Sequence, residues 1–204
     1  MPPIDIVAAT PADGADVIRL FGALHRYNTT LDASFALADG WETLVQQYLE
    51  QSEHSDDSTW LLARHDGHAI GFVLVEVHTD SPLYRHRRWA EIVGLYVEDS
   101  YRGSDVARLL MEHAYEWALG HRLRMMQLYV TAANQQAQRF YDKQGFGVSQ
   151  IVMRRALTSA DAQHHSPIEH PQHRLHFSES GARPLDMHGH THSQPPDGNE
   201  RQAQ

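Results

Sequence analysis

A chain of 204 residues with no cysteine and a net charge of −9 is long enough for one domain plus an extension. The missing cysteines exclude a disulfide framework and a Cys-ligated zinc site; with no apolar N-terminal stretch either, a cytoplasmic location is expected. No run approaches the roughly 20 apolar residues needed to span a bilayer, and the acidic balance argues against non-specific nucleic-acid binding while suiting a cationic, amine-bearing partner.

In chain order, Ile4-Asp5-Ile6-Val7 reads as a short strand. Thr10-Pro11-Ala12-Asp13 then starts a helix, with Thr10 as N-cap, Pro11 in the first turn and an acid at the third position. Val17, Ile18, Phe21 and Leu24 give that helix its buried face. Residues 25–40 read as an irregular connection, and a second helix is predicted over Trp41 to Gln51 with Leu44, Val45, Tyr48 and Leu49 inward. Thr59 to Arg64 and Ile70 to Val77 form a predicted hairpin around Asp66-Gly67. A polar, arginine-rich loop spans residues 80–88, followed by a strand from Glu91 to Val97 whose β-branched and aromatic residues suit burial.

The stretch Arg102-Gly103-Ser104-Asp105-Val106-Ala107 joins that strand to an amphipathic helix marked by Val106, Leu109, Leu110, Ala114, Trp117 and Ala118, with Gly120 expected to terminate it. A strand feeding a tight turn that opens a helix aims several backbone N–H groups at one point. Together with the positive end of the helix dipole they suit a phosphate or pyrophosphate. Neither G-x-x-x-x-G-K-[ST] nor G-x-G-x-x-G is present. Met126 to Val130 then reads as a strand leading to Asn134-Gln135-Gln136-Ala137-Gln138-Arg139-Phe140-Tyr141-Asp142-Lys143-Gln144-Gly145-Phe146. Gly145 is placed to cap this last helix, Phe146 to start a returning strand, and a final strand is expected near Gln150 to Arg155.

The first loop resembles the [RQ]-x-x-G-x-[GA] acetyl-CoA loop of the GNAT superfamily of N-acetyltransferases, with Arg102 and Ala107 matching and Asp105 standing where a glycine is usual. The segment from Asn134 to Phe146 resembles the superfamily's N-x-x-A-x-x-F-Y-x-x-x-G-F signature at every fixed position. The resemblance implies an α+β GNAT fold over residues 3–157: a mixed, mostly antiparallel sheet of six or seven strands flanked by about four helices. It also implies acetyl transfer from acetyl-CoA to a primary amine, on a small molecule or a peptide, by direct attack and without a metal. By the same resemblance, backbone N–H groups of Leu95, Tyr96 and Val97 bond the pantetheine and thioester at a strand bulge. Those of Arg102, Gly103, Ser104, Asp105, Val106 and Ala107 hold the pyrophosphate, with the Arg108 side chain available for a charge-assisted bond. Asn134 lies beside the cofactor arm, Tyr141 is the general acid, and Glu91 the candidate base, with a solvated carboxylate and ordered water as the alternative. Strand alternation puts Glu91, Val93, Leu95 and Val97 on one face. His25, Tyr27 and His86 are reserve candidates.

Asp105 is the departure from the pattern. A glycine there permits φ > 0, and a carboxylate about 5 Å from a phosphate costs roughly 3 kcal/mol at an effective ε near 20. Acetyl-CoA binding weaker than in a glycine-bearing equivalent is therefore expected, unless the side chain turns outward and is screened. An acyl-CoA-binding sensor or partner module without turnover is the alternative function. Acceptor identity is not written in the residues, and dimerisation, common among such enzymes, is demanded by none of them. Residues 158–204 are rich in Pro, Gly, Ser, Gln and His and carry eight of the sixteen histidines; they read as a disordered tail, with weak Zn²⁺ or Ni²⁺ binding as the alternative.

Overall fold

The first helical turn forms because Thr10 and Asp13 satisfy each other. The Asp13 carboxylate accepts from the Thr10 N–H (2.7 Å) and from its hydroxyl (2.9 Å), fixing a 3-10 turn over Pro11–Asp13 that leads into α1 (Gly14–Leu31). These details come from a computed structural model describing residues 3–156; the expectations for a disordered or metal-binding tail at 158–204 fall outside the described residues. The predicted irregular connection from residue 25 begins later than expected. Residues 25–31 continue α1, where Thr29 and Thr30 hydroxyls donate to the carbonyls of His25 and Tyr27 and so satisfy themselves within the helix. Asp32 then ends it by capping a 3-10 turn at Ala33–Phe35, accepting from the Ser34 N–H at 2.9 Å.

α2 (Trp41–Glu53) buries Val45 and Leu49, whereas Leu44, predicted to point inward, is 41% exposed. The strands are β1 (Asp5–Ala8), β2 (Ser58–His65), β3 (His68–Thr79), β4 (Arg88–Val97) and β5 (Met126–Leu128). They form one sheet in that order, antiparallel from β1 to β4 and parallel between β4 and β5. Asp66 and Gly67 both take positive φ (49° and 78°), as the tight turn between β2 and β3 requires.

One sheet face packs Trp60, Leu62, Phe72 and Leu74 against Val17, Leu20 and Phe21 of α1 and Val45 and Leu49 of α2. Each such large apolar side chain contributes roughly 1.5–3 kcal/mol by leaving water. The opposite face receives α3 (Val106–Gly120), whose Leu110 lies over Gly71 and Val97. Gly120 does not terminate α3 as expected. Arg122 takes the left-handed conformation (φ 58°), with Arg122 N–H bonding Leu119 O and Leu123 N–H bonding Ala118 O, so the terminating motif lies two residues later. Leu123 selects that position, because the motif carries it into the core at 6% exposure.

The described chain divides into two compact units after Asn134. The second contains α4 (Gln135–Lys143), closed as predicted by Gly145 at φ 87°, with Gly145 N–H on Asp142 O and Phe146 N–H on Tyr141 O. The rings of Tyr141 and Phe146 meet at 5.7 Å across that cap. The described residues thus show the expected mixed sheet with four α-helices, but five strands instead of six or seven. Neither a returning strand at Phe146 nor one at residues 150–155 is formed. Propensity makes a strand only where a ladder partner is in place, and Val148, Ile151, Val152 and Met153 stay largely exposed. No helix among the described residues is long and apolar enough to cross a membrane.

Candidate active site

β4 carries the irregularity that defines the site. Leu74 of β3 stands opposite Gly94, but the next residue, Val75, stands opposite Ile92, so Val93 is an extra residue in the ladder. The bulge overturns the expected alternation. Glu91 pairs with Glu76 and shares its face with Gly94 and Tyr96, while Leu95 and Val97 lie on the other face with Val73 and Gly71. A single inserted residue exchanges the two faces beyond it.

The parallel pairing of β5 with β4 covers only Ala90 to Ile92, so β4 has no β5 neighbour from the bulge onward. The Glu98 N–H bonds Ile70 O at 2.9 Å, next to the Gly71–Val97 pair. Antiparallel alternation therefore directs the Tyr96 N–H into β3 and those of Leu95 and Val97 toward the open side. Of the three backbone donors expected from the sequence, two face the gap. Arg102 sits beside it: Nε donates to Val97 O at 3.4 Å, the guanidinium pairs with Asp99 at 2.7 Å, and its carbon lies 5.1 Å and 5.7 Å from the ring centroids of Tyr27 and Tyr96. Burial, then the Asp99 charge, pushes the Tyr96 phenol up.

Beyond Arg102 the chain turns at Gly103, whose φ of 80° is the left-handed value glycine adopts freely. Arg102 and Ser104 N–H groups are used inside the turn, on Asp99 O and Tyr101 O. Those of Gly103, Asp105, Val106, Ala107 and Arg108 have no backbone acceptor among the described residues. This cluster at the positive end of α3 has the donor count and sign a diphosphate needs. Asp105 has φ −75°, so the left-handed conformation its position was expected to need is supplied by Gly103 instead. Its side chain is 72% exposed and takes Arg108 Nε at 3.1 Å, a bond that holds its carboxyl below the usual range. Arg108 is also paired with Glu112 at 2.6 Å, so the side chain expected to assist a phosphate is held by two carboxylates.

At the other end of β4, Glu91 is only 5% exposed, and His78 Nδ1 lies 3.4 Å from its Oε2. Glu76, opposite it, accepts from the Tyr48 hydroxyl of α2, and burial followed by the Glu76 charge pushes that phenol up. Gln127 pairs with Glu91 from β5, and its Nε2 donates to the Tyr129 hydroxyl at 3.1 Å. Sequence reading missed Glu76, His78 and Gln127; the hairpin turn at Asp66-Gly67 was the signal from which the β2–β3 register follows, but the bulge hid their partners on β4. Asn134 ends the first unit, its N–H on Thr131 O, and Tyr141 belongs to α4 of the second. Of the reserve candidates, Tyr27 lies under Arg102, and burial pushes the His25 imidazole down. His86 is in the exposed loop before β4. Among the described residues no group of three His, Cys, Asp or Glu is arranged to hold a metal.

Residues 24–146 match the pattern described as the Acetyltransferase (GNAT) family. An uncharacterized N-acetyltransferase of Archaeoglobus fulgidus is 32% identical over 100 residues, 49% of this chain and 67% of that protein. Another, from Methanocaldococcus jannaschii, is 28% identical over 97 residues, 48% of this chain and 42% of its own length. Among solved structures, a mutant of the BH1408 protein from Bacillus halodurans aligns with a TM-score of 0.67 at 22% identity, over 76% of this chain and 99% of that one. An aminoglycoside antibiotic 6'-N-acetyltransferase from Acinetobacter haemolyticus gives 0.60 at 20% identity, over 76% and 98%. An aminoglycoside N-acetyltransferase in complex with CoA gives 0.60 at 18%, over 76% and 95%. At these identities the structural likeness is one of fold.

Proposed function

Because this chain belongs to the acetyltransferase (GNAT) family, whose pattern covers its residues 24–146, we propose that it moves the acetyl group of acetyl-CoA to a primary amine by direct attack, using residues 3–157 as its catalytic domain. The observation that carries this reading is the parting of β4 from β5 at Val93, which turns the Leu95 and Val97 N–H groups to an open side just before the α3 N-terminus. Donors fixed in advance at such a gap suit a thioester oxygen as it gains charge. The N–H groups of Gly103, Asp105, Val106 and Ala107 suit the pyrophosphate, and Asn134 the arm between.

In this mechanism Glu91 takes a proton from the acceptor ammonium and leaves a neutral amine. The amine nitrogen attacks the thioester carbonyl carbon; a C–N bond forms and the C–S bond breaks. The Tyr141 phenol gives a proton to the departing sulfur and recovers one from the former amine. The balance is an amide, a free thiol and one proton released to solvent. An acidic chain of net charge −9 favours a cationic acceptor, a small molecule or a peptide, over nucleic acid.

Calorimetry with CoA and acetyl-CoA tests the binding half, and thiol release with a panel of amines (spermidine, neamine, lysine, a free peptide N-terminus) tests the chemistry. Binding with turnover of an amine is the expected result. Absence of heat with either nucleotide would sink the assignment; heat without thiol release would leave an acyl-CoA-binding sensor module.

A further inference from the structure

We propose that His78 is a positioning residue for the acceptor base, holding the Glu91 carboxylate in its ionised form and fixed direction; the inference rests on the reading of Glu91 given above. The β3–β4 ladder sets Glu76 opposite Glu91 and His78 opposite Trp89. With side chains alternating, all four project from the same sheet face. The His78 ring stacks on the Trp89 indole with centroids 4.3 Å apart and planes 19° from parallel, which fixes its plane. From there Nδ1 stands 3.4 Å from Glu91 Oε2, with side-chain exposures of only 14% and 7%.

A carboxylate so buried, with a second one opposite, is under pressure to take up a proton and lose its use as a base. The groups facing it make the balance clear. Glu76 adds negative charge from β3 and is itself engaged by the Tyr48 hydroxyl of α2. β5 presents Gln127, which is neutral, and Arg88 at the strand start is 53% exposed and turned to Asp57 at 3.9 Å. Protonated, His78 brings a positive charge to 3.4 Å from Glu91 Oε2. Set against that carboxylate oxygen, the charge favours the ionised group in this orientation.

The test uses the full chain. Histidine-ring NMR titrations, with the His78 resonance identified by its loss in His78→Phe, should show the ring titrating about one pH unit higher in the wild type than in Glu91→Gln. Phenylalanine keeps the stack on Trp89 and removes the charge. With the panel amine that turns over fastest, His78→Phe should move the acid limb of kcat/KM up by about one unit and lower kcat about tenfold near neutrality, leaving the KM for acetyl-CoA unchanged. Glu91→Gln should abolish that limb. A His78→Phe enzyme with the wild-type limb, beside a disabled Glu91→Gln enzyme, overturns the proposal and leaves Glu91 as base. A Glu91→Gln enzyme of wild-type rate removes the base assignment and this inference with it.

Discussion

At the scale of single residues, Glu91 and Asp105 carry the sharpest expectations. If Glu91 is the base proposed above, Glu91→Gln should lower kcat by about 10²- to 10⁴-fold, the usual cost of a lost general base, while leaving the Kd for CoA unchanged by calorimetry. Asp105→Gly should change the CoA Kd by less than about threefold, because the carboxylate is exposed, screened and paired with Arg108. The sequence alone implied a tightening of CoA binding on that substitution; the exposed, paired side chain, whose direction no sequence displays, predicts little change instead. Asp13 makes a pH-dependent contribution. The Thr10 N–H bond, opposed in part by burial and assisted by the Thr10 hydroxyl and Arg64, holds its carboxyl below the usual range. A depressed folded-state value stabilises above the unfolded value near 3.9 and is lost as pH falls through the folded one. Asp13→Asn should therefore cost about 1 kcal/mol in urea unfolding at pH 7, and progressively less as pH falls through the folded-state value.

At the scale of elements, what could be read in advance was what neighbours in sequence decide. The Thr10–Asp13 start, the Asp66-Gly67 turn and the Gly145 cap are each set by residues within a few positions, and each is formed where expected. The Val93 bulge depends on what β3 places opposite, so period-two counting along β4 alone assigned the wrong face to Leu95 and Val97. The end of α3 was misread for a related reason. Gly120 had the right composition for a terminator, but burial of Leu123 set the register and obliged Arg122 to take a left-handed conformation. Arg122→Gly should remove that strain and raise stability by about 1 kcal/mol, or about 3 °C in Tm, read by calorimetric scanning.

At the scale of the whole molecule, the net charge of −9 has a kinetic signature. If a cationic amine is drawn by the acidic surface, its KM should rise several-fold between about 20 mM and 300 mM salt, with kcat little changed; a flat KM across that range would show that encounter is not steered. The architecture is a sheet with one unequal seam, β4 against β5, closed for three residues and open afterwards. That seam works as a ruler. Its zero mark is the supernumerary Val93 and, in the function proposed above, the distance from there to the first turn of α3 is the span the donor's flexible arm has to bridge. Sliding the extra residue two places along the strand would shift the fork by one pleat repeat, about 7 Å. Selection for a longer or shorter thioester carrier could thus act by relocating one residue, leaving the anion loop and the hydrophobic layers where they are.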